Sequence, residues 1–375
     1  MSALTGLKVL ELANILAGPM IGQFCAELGA DVIKVEQPGS GDPTRGWRLA
    51  AESPDNDVSA YFSSANWGKR SIALNMVDDH ETVIALIRRA DVVIVGYKPG
   101  DEVKFGVDYP TVAVINPALI YLQLTAYGTE DPRPGFDAVI QAESGFTFLN
   151  GETDGGPVKM PVALVDLLAA HQLKQGLLLA LLERERSGKG GYVATSLLAA
   201  ATASLANQAT NFLVAGNVPQ RMGSEHPNIV PYGTIFETGD GTSLVVAVGT
   251  ERQYRTFLRL IEREELADDA RFATNQARVV NREALNALLR ERLLAMDGAA
   301  LAESMRREKV PVGFVNDMRS VFEQPESRKQ LFDAGNGLRS LSITGTVEGR
   351  RDLSPPPHLD QHRAEILREL ELEDA

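Results

Sequence analysis

The first 130 residues alternate between short strand patterns and helix patterns, and no other feature constrains the fold as strongly. One helix pattern starts at Ala17-Gly-Pro19, where proline occupies its favoured first-turn position. Apolar, β-branched-rich runs, which are typical of buried strands, fall at residues 8–12, 31–36, 71–75, 91–95 and 119–124. Strands that alternate with helices predict an α/β fold with a Rossmann-like, doubly wound and mostly parallel sheet.

Sheets of this kind bind ligands in the crevice beyond the carboxyl ends of their strands. We therefore expect one site, lined by the polar loops that follow Leu12, Glu36, Asn75, Val95 and Leu124. The turn after the first strand pattern lacks a G-x-G-x-x-G motif, so a dinucleotide is poorly supported as the ligand.

Composition excludes several classes of partner. The chain has 37 basic and 50 acidic residues and a formal net charge of −13, whereas a nucleic-acid or anionic membrane surface needs a basic footprint. The single cysteine, Cys25, excludes an internal disulfide, and the five histidines show no metal-ligand spacing, so no metal is expected.

Residues 192–220 are uncharged but too polar for lipid, and they predict a long buried helix. The N-terminus runs directly into the first strand pattern, which predicts a cytoplasmic protein without a signal peptide.

The composition and the pattern of the sequence change near residue 217. Prolines become frequent, and residues 232–237 and 243–248 flank the turn Asp240-Gly241 in the pattern of a β-hairpin. We predict a large domain formed by residues 1–216 and 326–375, and a smaller α+β domain formed by residues 217–325.

Asp166 is a lone carboxylate where an apolar, strand-like stretch changes into a helical pattern. At the start of a helix, free N–H groups and the helix dipole favour its ionised form. A carboxylate at the mouth of an α/β sheet can attack an activated acyl group. The alternative interpretation is a helix-capping aspartate, which these residues alone favour.

Several stretches resemble the family III CoA-transferases, which include formyl-CoA and carnitine CoA-transferases and have α-methylacyl-CoA racemases as relatives. The order and spacing of these motifs extend from residue 6 to about residue 325. The motifs are Ala17-Gly-Pro19, Leu28-Gly-Ala-Asp-Val-Ile-Lys-Val-Glu36, Gly41-Asp-Pro-Thr-Arg45, Asn66-Trp-Gly-Lys-Arg-Ser71, Gly135-Phe-Asp-Ala-Val-Ile-Gln-Ala-Glu-Ser-Gly145, Arg186-Ser-Gly-Lys-Gly190 and His226-Pro227 before Pro231-Tyr232. Asp166 falls where the family carries its catalytic aspartate.

The resemblance implies a CoA-transferase that moves CoA from an acyl-CoA donor to a small carboxylic acid. Asp166 would attack the donor thioester to give a mixed anhydride, and the reaction would continue through an aspartyl thioester. The CoA thioester is a substrate, and no cofactor would be permanently bound. The resemblance also implies an interlocked homodimer.

The resemblance further implies a set of CoA contacts. The matching positions are Leu16, Ala17, Ile72, Asn75, Gly96, Tyr97, Lys98, Lys104, Pro134 and Asp137. CoA also carries phosphates, and Lys69 and Arg70, which come just before a strand pattern, are the first candidate cations for them. Each lysine could instead be a solvated surface charge, Asp137 could be a loop-ordering carboxylate, and Arg45 could bind phosphates or order its loop.

Two departures from the family pattern bear on the reaction. The racemase relatives place a histidine, the second acid/base group, where this chain has Phe136. Phenylalanine can neither donate nor accept a proton, which favours transfer over racemisation. Some transferases carry a glutamine where this chain has Leu16. They also carry a glycine-rich loop in the small domain, and the matching region of this chain, around Val248-Gly249, is short. The alternatives are a racemase or epimerase, and a non-catalytic acyl-CoA-binding paralogue.

Overall fold

The computed structural model describes residues 2–345 and 352–373. These residues form two compact units. The large unit contains the described parts of Met1–Thr147, Lys159–Asn217 and Arg328–Ala375, and the small unit contains Phe148–Val158 and Val218–Ser327. Residues 148–158 were predicted as part of the large domain, but they group with the small unit. Asn150 and Val158 pair with each other through two hydrogen bonds, and Gly151 accepts one from Gly223.

A six-stranded parallel sheet forms the centre of the large unit. Its strands are β1 (Lys8–Leu12), β2 (Asp31–Glu36), β3 (Lys69–Ala73), β4 (Val92–Val95), β5 (Ile120–Thr125) and β6 (Gly191–Ser196). The order is β3-β2-β1-β4-β5-β6, and every neighbouring pair is parallel. This is the doubly wound order, in which the direction of winding reverses between β1 and β4. The predicted parallel α/β sheet is confirmed.

Helices connect and follow the strands, and several of them pack on the two faces of the sheet. They are α1 (Ala17–Glu27), α2 (Ala60–Ser63), α3 (His80–Arg89), α4 (Asp101–Lys104), α5 (Tyr109–Ile115), α6 (Asp137–Glu143), α7 (Phe146–Leu149), α8 (Leu164–Ser187), α9 (Leu197–Ala203) and α10 (Ala206–Ala215). Alternate strand residues point to opposite faces. Val9, Ile94 and Leu122 therefore pack towards α1 and α8, while Leu10 and Val95 pack towards α3 and α5.

The prediction of one long helix over residues 192–220 is wrong. Tyr192 and its neighbours form β6, the edge strand that pairs in register with β5, and helix begins only at Leu197. Tyr192, Val193 and Thr195 are aromatic or β-branched residues, which favour strand. Ser196 then caps α9 by accepting a hydrogen bond from the backbone N–H of Ala199.

Helix α8 is long and apolar enough, by length and composition, to cross a membrane. One face of it packs in the core of the large unit through Val165, Ala169, Leu173 and Leu177. At Gly176 an added Cβ would lie 2.3 Å from a side-chain carbon of Val193, so the missing side chain lets the helix approach β6 closely. The helix is thus a core helix of an α/β unit.

The small unit contains a three-stranded antiparallel sheet with helices on it. The strands β7 (Tyr232–Glu237), β8 (Ser243–Ala247) and β9 (Val312–Phe314) lie in the order β7-β8-β9. The β7–β8 hairpin was predicted and is confirmed. The helices are α11 (Glu251–Leu260), α12 (Asn275–Val280), α13 (Arg282–Leu293), α14 (Gly298–Arg307), α15 (Met318–Glu323) and α16 (Pro325–Arg328). Phe236, Phe257 and Leu289 lie in its core.

The end of the chain returns to the large unit. Strands β10 (Leu331–Asp333) and β11 (Arg339–Leu341) form a short antiparallel pair, and helix α17 (Arg363–Glu373) packs against β3.

Candidate active site

An open cleft of about 810 Å³, counted with the solvent space at its mouth, lies at the carboxyl ends of β1, β4 and β5. Its walls are residues 14–17 after β1, residues 96–99 after β4, residues 124–126 and residues 133–136, together with Asp166 and Leu197. The cleft therefore sits where the winding of the sheet reverses, which is the usual ligand position in this fold.

Asp166 occupies the third position of α8 and is only 9% exposed. The N-cap of the helix is Ala163, which has no capping side chain. Among the described residues, no group donates a hydrogen bond to the Asp166 carboxylate. The helix-cap interpretation therefore fails, because a cap accepts a hydrogen bond from the free N–H groups of its own helix.

Burial and the neighbouring Asp137 carboxylate raise the pKa of Asp166 to about 7. The position of Asp166 at a helix start predicts that its ionised form is favoured. The structure shows the opposite direction, because the carboxyl loses solvent and faces a like charge, and both effects disfavour a second negative charge.

Asp137, at the start of α6, is buried and does not line the cleft. One of its oxygens accepts a hydrogen bond from the backbone N–H of Val165 (2.9 Å), and the other accepts from the Gln141 amide (2.7 Å). Gln141 in turn accepts from the backbone N–H of Met160 (2.8 Å). Asp137 therefore orders the segment that leads into Asp166, which supports its alternative interpretation as a loop-ordering carboxylate.

Six of the predicted CoA contacts line the cleft together with Asp166. They are Leu16, Ala17, Gly96, Tyr97, Lys98 and Pro134. Phe136 lines it too and is 59% exposed, so an aromatic ring occupies the position of the racemase histidine.

Lys69 and Arg70 do not reach the cleft, which corrects their assignment as phosphate contacts. Both begin β3, and so lie at the amino end of a strand rather than at its ligand-binding end. The Lys69 ammonium is buried and donates to Glu11, Pro19 and Asn66 at 2.7–2.8 Å, which uses all three of its protons. Arg70 pairs with acidic side chains of β2 and α17, namely Asp31, Glu365 and Glu369.

The remaining predicted contacts also lie outside the cleft lining. Ile72 is fully buried in the core of the sheet, and the Asn75 side chain accepts hydrogen bonds from the next turn of backbone. Lys104 is exposed on α4, with its ammonium 5.6 Å from the centre of the Phe105 ring. Arg45 is buried and forms two 2.7 Å hydrogen bonds to Glu36, so it orders its loop.

Several residues around the cleft and Asp166 were not predicted from the sequence. Arg133 lines the cleft, with its guanidinium 3.9 Å from the centre of the Tyr127 ring and 2.9 Å from Asp131. Burial and then the charge of Asp166 raise the pKa of Tyr61, so this phenol lies within electrostatic range of Asp166. Trp47 packs edge-on against the Tyr61 ring (5.2 Å). A cation near a strand end could have indicated Arg133, but nothing local indicates Tyr61, because α2 is distant in sequence from Asp166.

Two further features concern metals and histidine. Within residues 2–345 and 352–373, no group of three or more histidine, cysteine or acidic side chains is placed to hold a metal ion. His226 lies in the small unit, where its Nδ1 accepts a hydrogen bond from the backbone N–H of Asn228 (3.1 Å) and its ring packs against Tyr232.

The fold and the site define an α/β enzyme with a buried carboxylate at the topological switch point of a doubly wound sheet. Residues 4–363 match the model of CoA-transferase family III, and the chain belongs to that family. It is a transferase that moves CoA between an acyl-CoA and a carboxylic acid, as the sequence predicted.

Named relatives and a solved structure match over nearly the whole chain. The succinate–glutarate CoA-transferase of Agrobacterium fabrum is 36% identical, covering 98% of this chain and 96% of that protein. The succinyl-CoA:glutarate CoA-transferase of Mus musculus is 34% identical, covering 99% and 87%. The crystal structure of a CaiB/BaiF family protein from Brucella suis is 40% identical, with a TM-score of 0.83, covering 98% of this chain and 99% of that one.

Proposed function

We propose that Asp166 is the nucleophile of the transfer reaction. The observation that carries this proposal is a buried carboxylate on the wall of the cleft that receives no hydrogen bond from the described residues. Its pKa of about 7 leaves it largely ionised at slightly alkaline pH and more basic than an ordinary carboxylate. A poorly solvated, basic carboxylate suits attack on a thioester carbonyl.

The steps balance without metal or ATP. Asp166 attacks the donor carbonyl carbon, the C–S bond breaks, and CoA leaves as the thiolate. The thiolate then attacks the aspartyl carbonyl of the mixed anhydride, which releases the donor acid and forms an aspartyl thioester. The acceptor carboxylate attacks this thioester and regenerates an anhydride, and CoA thiolate finally attacks the acceptor carbonyl. One oxygen of the acceptor acid remains on Asp166 after each turnover.

The start of α1 supplies groups for the oxyanions of this sequence. Leu16 and Ala17 line the cleft at the N-terminal end of that helix, where backbone N–H groups are not used within the helix. These donors and the helix dipole stabilise negative charge that develops on the thioester oxygen.

Lys98 and Arg133 are the two cationic side chains among the described residues that line the cleft. Arg133 is already paired with Asp131, whereas the Lys98 ammonium is 3.9 Å from Asp101 and its side chain is 59% exposed. Lys98 is therefore the cation most available to a CoA phosphate.

We propose succinyl-CoA as the donor and a five-carbon dicarboxylic acid such as glutarate as the acceptor. The names of the Agrobacterium and mouse relatives support this pair. Phe136 supports transfer over racemisation, because no proton-transfer group stands at that position.

We also propose a cytoplasmic homodimer. Two groups of exposed apolar side chains support association: Leu178, Leu179 and Leu182 on α8, and Phe212, Leu213 and Val214 on α10. Exposed apolar groups of this kind are typical of protein–protein interfaces. Sedimentation velocity should give twice the monomer mass, and a monomer at micromolar concentration would refute the proposal.

Oxygen labelling tests the nucleophile directly. The enzyme is incubated in unlabelled water with succinyl-CoA and ¹⁸O-labelled glutarate, and the peptide that contains Asp166 is analysed by mass spectrometry. Label should appear on Asp166 together with glutaryl-CoA. Asp166→Asn should form no glutaryl-CoA, while Asp78→Asn, an exposed control on the surface, should behave like the wild type. Product formation without label on Asp166 would refute the mechanism, and deuterium uptake at an α-carbon without acid exchange would favour a racemase.

A further inference from the structure

Ile15 lines the cleft with a backbone conformation that its side chain disfavours. Its φ is +74°, in the left-handed region. β-Branched residues rarely adopt this region, and a residue held there persists only where its surroundings enforce the conformation.

Two buried side chains enforce it. The backbone N–H of Ile15 donates to the Asp42 carboxylate (3.0 Å). The Lys34 ammonium donates to the backbone carbonyl of Ala13 (2.7 Å) and lies 2.9 Å from the same Asp42 carboxylate. The Ala13 carbonyl and the Ile15 N–H, which flank Asn14, are therefore both held by buried side chains.

The clamp formed by Asp42 and Lys34 continues into the first turn of α1. Glu11 accepts from Lys34 through one oxygen (2.8 Å) and from Lys69 through the other (2.7 Å). Lys69 also donates to the carbonyl of Pro19 (2.8 Å). These four charged side chains are buried, and their two positive and two negative charges cancel. Replacing one residue of an ion pair in this cluster by a neutral residue would leave the other as an uncompensated buried charge.

Lys34 and Asp42 remain charged at neutral pH. Burial disfavours the ammonium of Lys34, but the Glu11 and Asp42 carboxylates outweigh it and raise the pKa of Lys34. Burial likewise opposes the ionised form of Asp42, but Lys34 and the hydrogen bonds from Thr44 outweigh it and lower the pKa of Asp42.

We propose that Asp42 and Lys34 are positioning residues of the transfer reaction. They hold Ile15 in its left-handed conformation and so aim the backbone of Leu16 and Ala17 at the reacting thioester. This inference rests on the proposed function, because it takes the cleft as the acyl-CoA site.

Asp42→Asn with a compensating glycine tests the proposal. With succinyl-CoA and glutarate, Asp42→Asn should lower kcat/KM about 100-fold, mainly through kcat, because the loop shifts relative to the thioester. Glycine adopts positive φ without steric cost, so Ile15→Gly in the Asp42→Asn background should recover about tenfold of this loss. A double variant as impaired as Asp42→Asn, or an Asp42→Asn enzyme within threefold of wild type, would overturn the proposal.

Glu27 provides the matched control. It is equally buried and accepts hydrogen bonds from Gln23, Ser342 and Thr344, far along α1 from the cleft. Glu27→Gln should lower the melting temperature while kcat/KM stays within about twofold of wild type.

Hydrogen exchange on the wild-type protein gives an answer that requires no variant to fold. The Ile15 amide should exchange on the order of 100-fold more slowly than the amide of Lys98, another residue that lines the cleft, because Asp42 accepts the hydrogen bond of the Ile15 amide. Equal exchange rates would overturn the clamp. If the wild type transfers no CoA, the proposed function fails, and this exchange measurement still decides whether the clamp exists.

Discussion

The Asp137 carboxylate accepts a hydrogen bond from the backbone N–H of Val165, one residue before Asp166. A side chain from α6 thus supplies the N-terminal hydrogen bond that Ala163, the N-cap of α8, cannot provide. The same contact sets a negative charge beside Asp166, which adds to the effect of burial in raising the pKa of Asp166. One residue therefore orders the start of the helix and contributes to the raised pKa of Asp166.

The first prediction concerns the pH dependence of transfer. In the proposed mechanism Asp166 attacks in its ionised form. Because its pKa is about 7, kcat/KM should fall about tenfold per pH unit below pH 7 and level off above it. Asp137→Asn removes the like charge, so its acid limb should move to lower pH. A pH profile from 5 to 9 for both enzymes measures this. A wild-type limb near pH 4, the ordinary range of carboxyl groups, would contradict the prediction.

The second prediction concerns stability. The pKa of Asp166 is raised in the folded state, so the folded protein holds this proton more tightly than the unfolded chain does. Stability is therefore lost as pH rises from about 4 to about 7, and the loss is complete above pH 7. Asp166→Asn removes this loss and should stabilise the protein at pH 8 by at most about 4 kcal/mol, with little effect at pH 4. Urea unfolding of both proteins at pH 4 and pH 8 tests this prediction. An equal change in the free energy of unfolding at the two pH values would contradict it.

The third prediction compares Asp137, which accepts a hydrogen bond from the start of another helix, with an ordinary N-cap. Asp137→Ala should cost about 1–3 kcal/mol of unfolding free energy and also lower kcat, because the Asp166 segment loses its anchor. Asp108 is an ordinary N-cap that accepts a hydrogen bond from the backbone N–H of Thr111 in α5. Asp108→Ala should cost about 1 kcal/mol with kcat unchanged. If the two variants have the same kcat, Asp137 has no positioning role.

A fourth prediction distinguishes the cations. Lys98→Ala should raise the KM for succinyl-CoA about tenfold through loss of a charged hydrogen bond to phosphate, and the effect should shrink at high salt. Arg70→Ala should leave this KM unchanged, because its guanidinium is engaged by Asp31, Glu365 and Glu369 at the amino end of β3. Steady-state kinetics at two ionic strengths compares them. A raised KM in Arg70→Ala would restore the original assignment of that residue.

The first five strands of the sheet could be predicted because their signal is local. Each is a run of apolar or β-branched residues bounded by turn residues, and parallel strands buried on both faces need little else. The sixth strand was missed because residues 192–220 carry no charge and read as one helix. Pairing with β5, which no local pattern reveals, decides that Tyr192 to Ser196 is a strand.

The errors at the site have a common cause. Lys69 and Arg70 lie near a strand, and their type suits phosphate, but a local pattern does not show which acids they meet. Glu11 reaches Lys69 across 58 positions, and Glu365 reaches Arg70 across 295. Asp137 is separated from Val165 by 28 positions, so its hydrogen bond is equally invisible in a linear reading.

The sequence by itself determined the α/β class, the family and the position of Asp166 at a helix start, because these depend on residue type and spacing along the chain. Only the tertiary structure decided which cations face the cleft, the direction of the pKa shift of Asp166, and the clamp on Ile15. Those properties depend on burial and on charges brought together from distant segments, and neither exists until the chain has folded.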